Sequence, residues 1–160
     1  MAVSENRRQK KLVKQAAKKK AAAKAMARIQ GGGLATRIAR LAKAPILHSG
    51  APDYLWKNDQ GLGIALISRK LADGQVAFAK FLLDVYCLGV KNAHVSIVSY
   101  PVYRDHIYLP IFEKMAVETR PPAYVRKLVE GAVDYARRLG FEPHPDYRAA
   151  REIFGDIDPN

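Results

Sequence analysis

The residues whose types suit chemistry cluster in three places along this 160-residue chain. Asp84 interrupts an apolar run, FLLDVYCL, with Cys87 inside the run and Lys91 and His94 close behind. Asp105-His106 and His144-Pro145-Asp146 set further imidazoles beside carboxylates. A carboxylate in apolar surroundings is costly unless it is paired or hydrogen-bonded. Asp84 therefore reads first as half of a structural ion pair with Lys91 or His94, fixing a turn. Its sharper reading is a general base or metal ligand. On that alternative, Asp84, His94, Asp105 and His106 would form a small metal-dependent nuclease or hydrolase site acting on phosphodiesters. No local spacing enforces the grouping, because HExxH, HxxxH and paired-cysteine patterns are absent. The first expectation is accordingly no catalysis, no metal and no cofactor. Cys87, between Tyr86 and Leu88, reads as a buried, inert thiol, since a nucleophilic thiol needs an accessible electropositive site. Phosphate-binding loops, dinucleotide fingerprints and Ser/His/Asp motifs are also absent.

The elements that would position these groups centre on residues 63–93, GIALISRKLADGQVAFAKFLLDVYCLGVKNA. Ile64 and Leu66, then Val76 and Phe78, alternate with smaller or polar residues, as half-buried strands do. Asp73-Gly74 between them tolerates the positive φ of a tight reversal. His94–Tyr100 reads as a third strand, with Gly89–Asn92 as the preceding turn and Pro101 as its stop. The spacing predicts a helix over 102–119 with a kink or a start at Pro110. A stronger helix is predicted over 121–139. Pro121-Pro122 opens it, Val125, Leu128, Val129, Ala132, Val133, Ala136 and Leu139 form its stripe, and Gly140 stops it. Phe141 is expected to tuck back, and Asp146 to cap a last helix, YRAAREIF. The predicted class is α+β: a three-stranded antiparallel meander over about 63–100 packed by C-terminal helices on one face. The helix at 34–44 is the candidate cover for the other face. Residues 45–62 read as a connector. Tyr54 and Trp56 within it would pin the loop to the core or, on the sharper reading, stack on unpaired bases.

Charge divides the chain more sharply than hydrophobicity does. Residues 1–44 hold thirteen Lys and Arg against the single acid Glu5, whereas 45–160 hold fourteen basic and fourteen acidic residues. The net +12 of the chain thus belongs to a Lys/Ala-rich arm that ends in a short amphipathic helix. The compact α+β domain of 45–160 is neutral. The arm has helical propensity but few large apolar residues and many like-charge i,i+4 pairs. It is expected to be frayed or partly disordered and to become helical when its charges are neutralised. Such an arm suits a phosphate backbone, gripped by Arg7, Arg8, Lys10, Lys11, Lys14, Lys18, Lys19, Lys20, Lys24, Arg28, Arg37 and Arg40. The expectation is a nucleic-acid-binding accessory or ribonucleoprotein-associated protein, RNA being favoured over DNA. A protein–protein adaptor is a further alternative. One cysteine excludes an intramolecular disulfide, and no apolar run approaches the roughly 20 residues of a membrane span. With no apolar leader in the sequence, the expected location is cytoplasmic and no membrane partner is expected.

The stretches FLLDVYCLGVKNA, GAVDYARRLGFEPHPDY and FGDID resemble an uncharacterised family of bacterial proteins. The resemblance covers roughly residues 55–158 and implies no catalytic residue, substrate or cofactor.

Overall fold

The structure is a computed structural model, and it describes residues 13–21, 33–57 and 61–160. The chain divides into two compact units between Leu34 and Ala35. In the first unit, residues 13–21 form helix α1, exposed along its whole length. Ala and Lys favour that helix, and it has no large apolar stripe to bury.

The second unit is built on a five-stranded antiparallel sheet in the order β4-β3-β2-β1-β5. Its strands are β1 (Ile46–Pro52), β2 (Leu62–Lys70), β3 (Gln75–Asp84), β4 (Gly89–Ser99) and β5 (Val117–Thr119). The expected α+β class and the central meander are present, but the sheet has five strands, not three. β1 lies in the stretch read as a connector. Its ILHSGAP sequence does not alternate cleanly, and its register against β2 shifts between Ile46 and His48. β5 falls at the end of the stretch read as helix and spans only three residues. It pairs with the outer side of β1, Gly50 facing Thr119.

The β2–β3 reversal forms where Asp73-Gly74 predicts it. Gly74 has φ 81°, and Asp73 Oδ1 accepts the Gln75 N–H at 3.0 Å. The next reversal does not form at Gly89–Asn92. Those residues belong to β4, where Gly89 faces Asp84 and Asn92 faces Leu82. The chain turns instead over 85–88. Val85 is buried inside that turn, so hydrophobicity continues past the end of the strand and hides it.

Strand side chains alternate between the two sheet faces. On one face Leu66, Val76 and Phe78 join Tyr103, Ile111 and Val117 in a buried cluster. Their cover is a continuous helical run, α3: Tyr100–Tyr103, a π-helical Arg104–Tyr108, then Leu109–Lys114. Pro101 opens this helix rather than merely stopping the strand. Pro110 cannot donate to the preceding turn, and the wider register just before it accommodates the missing N–H. On the opposite face lie Ala65, Ile67, Ala79, Phe81 and Leu83, all buried. Helix α4 (Pro122–Arg138) contacts β1 to β4, with Val125, Val129, Ala132, Val133 and Ala136 buried. Helix α5 (Tyr147–Ala150) and the 3₁₀ turn Arg151–Phe154 complete that layer, Phe81 stacking on Phe154 at 5.5 Å.

Helix α2 (residues 33–41) carries Ile38, and the residue just beyond it is Ala42; both are buried. Ala42 lies against Gly155. This segment therefore packs with the C-terminal elements, and the second sheet face is covered by α3 instead. Helix α4 ends as predicted. The Gly140 N–H donates to Arg137 O at 3.0 Å and the Phe141 N–H to Ala136 O at 2.9 Å, a Schellman closure. The Phe141 ring does not tuck in and is 41% exposed. Asp146 precedes α5 but makes no side-chain capping bond. Its N–H donates to His144 Nδ1 at 3.2 Å, while the His144 N–H donates to Val90 O at 2.9 Å and pins the connector to the outer edge of β4.

Candidate functional site

The basic residues of the arm divide as the chain does. Lys14, Lys18, Lys19 and Lys20 stand exposed on α1, and Arg37 and Arg40 stand exposed on α2. Arg7, Arg8, Lys10, Lys11, Lys24 and Arg28 lie outside the described residues. None of the ion pairs formed among the described residues involves the α1 lysines or the α2 arginines.

The residues of the hydrolase alternative do not converge. Asp84 Oδ1 accepts the N–H of Tyr86 at 3.2 Å and of Cys87 at 3.0 Å. It is a turn cap, so its structural role holds but its partners are backbone amides, not Lys91 or His94. His94 faces Lys80 across the β3–β4 ladder, roughly 13 Å along the strand from Asp84. Burial beside the Phe78 ring, 5.7 Å away, and then the charge of Lys80 lower its pKa, with Asp146 opposing. Asp105 pairs with Arg104 at 2.8 Å on the exposed π-helical segment, where His106 is exposed too. Among the described residues, no group of three or more His, Cys, Asp and Glu side chains comes together. Cys87 is half-buried in the turn, not sealed in the core.

A polar trio lies under α3 that no spacing in the chain announces. The Tyr103 hydroxyl sits 2.8 Å from Ser68 Oγ and 3.0 Å from His48 Nδ1. Ser68 Oγ also accepts the His48 N–H at 3.0 Å. His48 stacks on Tyr108 with centroids 4.0 Å apart. Burial pushes the Tyr103 phenol far up and the His48 imidazole down, so both are held neutral. Ser68 and Tyr103 are fully buried, and the trio ties β1, β2 and α3 together without an open nucleophile. Beside it, Ser49 Oγ and Arg120 Nε are buried with no partner among the described residues. Both residues line a cleft of about 390 Å³ at the start of α4.

A larger apolar groove, of about 570 Å³, lies between the β3–β4 reversal and α4. Trp56 enters it from the β1–β2 connection, Val85 and Tyr86 from the reversal, and Tyr124, Lys127, Leu128, Gly131, Ala132 and Tyr135 from α4. The α4 residues recur at three- and four-residue intervals and so share one helix face. Tyr86 lies directly over Gly61, whose φ of 60° and missing Cβ let the ring settle there. Tyr54 behaves differently from its neighbour: its hydroxyl donates to Met115 O at 3.4 Å and pins the loop, whereas Trp56 is 61% exposed.

Comparison with protein-family models, curated proteins and solved structures finds no match for the chain. No helix among the described residues is long and apolar enough to cross a membrane.

Proposed function

We propose that this protein binds nucleic acid, gripping the phosphate backbone through its basic N-terminal segment and presenting the neutral α+β unit as an accessory domain. The observation that carries this reading is the segregation of charge. Thirteen cations stand against one acid in residues 1–44, and the remainder of the chain is balanced. The lysines of α1 lie on a wholly exposed helix and make no ion pair among the described residues. Cations held clear of carboxylates displace counterions from a polyanion, which makes affinity fall steeply with salt. RNA is the favoured partner over DNA. A cationic helix without a base-reading motif recognises shape and phosphate spacing, as many RNA-binding segments do.

The test is a salt series of binding to structured RNA and duplex DNA by the full chain and by a variant carrying K14Q, K18Q, K19Q and K20Q. Each lost phosphate contact should reduce the slope of log K against log salt by about 0.7–0.9. The quadruple variant is expected to lose up to about 3 units of slope and to bind more weakly at every salt concentration. Equal slopes for the two proteins would remove the arm as the gripping element.

A further inference from the structure

We infer that the groove between the β3–β4 reversal and α4 is a stacking platform for the unpaired bases of a single-stranded nucleic acid, an inference that rests on the phosphate-gripping reading of the arm. Four aromatic rings from three separate elements line it: Trp56, Tyr86, Tyr124 and Tyr135, exposed by 61%, 46%, 40% and 40%. Rings of this size are ordinarily drawn inside, and their concentration around one groove marks a surface that another flat apolar face can cover. Every nucleobase offers such a face, so stacking on aromatic rings is strong and tolerant of sequence.

The details suit a strand better than a compact ligand. Tyr124 and Tyr135 are separated by about 16 Å along α4, room for the few nucleotides that single-strand domains engage. Gly131 lies between them, and a Cβ there would meet nothing within 4 Å, so that part of the groove stays open. Lys127 lines the groove, and the Arg120 guanidinium lies 5.7 Å from the Tyr124 ring centroid. Lys127 can meet a phosphate while the rings hold the bases, whereas Arg120 is paired with Glu118 at 2.7 Å. Of the acidic residues of α4, Glu130 is held by Arg126 Nε at 2.9 Å, and Asp134 is exposed. An extended proline-rich peptide also docks on aromatic grooves. Lys127 at this groove and the excess of cations in the arm complement phosphates instead.

Trp56 is the only tryptophan in the chain, so its fluorescence reports on the groove directly. The full-length protein is titrated with an unpaired oligouridine, an RNA duplex of equal phosphate number, inorganic polyphosphate and a proline-rich peptide. Quenching is expected with the unpaired oligonucleotide and not with the duplex or polyphosphate. Y124A and Y135A should each weaken binding of the unpaired strand about tenfold. Y135F should restore it, and duplex binding should not change. Both tyrosines are partly exposed, and thermal melts of the variants confirm folding. If strand and duplex bind alike and the alanine variants change nothing, the groove is not a base site while the arm reading survives. Should no nucleic acid bind at all, both readings fall. Quenching by the peptide alone would reassign the groove to a protein partner.

Discussion

Arg69 is the residue on which three parts of the compact unit meet. It sits at the end of β2 and is 4% exposed. Its Nε donates to Ile153 O at 2.8 Å, one terminal nitrogen to Ala44 O at 2.6 Å and the other to Phe154 O at 3.1 Å. Burial lowers the guanidinium pKa, with the charge of Asp156 opposing, yet arginine keeps its proton under these conditions. A buried cation satisfied by carbonyls alone leaves those acceptors stranded if it is removed. R69M keeps an apolar stem of similar length but deletes every donor. It is expected to lower unfolding free energy by about 2–4 kcal/mol, measured by urea denaturation. Amide exchange should accelerate first near Ala44 and over residues 151–155. An unchanged denaturation midpoint would show that the three carbonyls do not depend on Arg69. In the sequence, Arg69-Lys70 looks like the polar end of a strand, because its partners lie 25, 84 and 85 positions away. Asp84 was legible as a structural carboxylate for the opposite reason. Its two amide partners are two and three residues on.

At the scale of elements, two glycines, one in β4 against α4 and one on the open side of α4, should respond in opposite directions. Gly89 opens β4 with φ 66°, and a Cβ there would lie 2.6 Å from the Ala132 carbonyl oxygen of α4. Both the backbone and the helix forbid a side chain, and G89A is expected to cost about 2–4 kcal/mol. Gly131 is exposed within α4, has open space around it and contributes only backbone freedom. G131A should stabilise by about 0.5–1 kcal/mol. Paired thermal and urea melts decide this, and a stable G89A protein would mean that α4 does not sit closely on β4. Helix α4 was readable because its stripe, its opening prolines and its glycine stop are all local. The β3–β4 reversal and β5 were not, because burial by neighbours overrides local pattern in short apolar segments.

For the whole molecule, the division between the units sets what can be removed. A chain starting at residue 33 keeps Ile38, Ala42 and the Ala44 carbonyl that Arg69 requires. It should retain the stability of the full-length protein while losing the steep salt dependence of binding. A chain starting at Pro45 loses those contacts as well, and is expected to be less stable by about 3 kcal/mol or more. Comparison of their melts with that of the full chain checks this, and equal stability of the two truncations would show that α2 is not part of the folded unit. What the sequence determined by itself was the α+β class, the central meander, the position of α4 and the gathering of charge at one end. Each of these depends on composition, short-range periodicity or turn chemistry. Only the tertiary structure decided the fifth strand pairing, the face on which α2 docks, the partners of Arg69 and the grouping of Trp56 with Tyr86, Tyr124 and Tyr135. Those features join residues far apart in the chain, and which distant groups meet is set by packing the whole sheet between its helices.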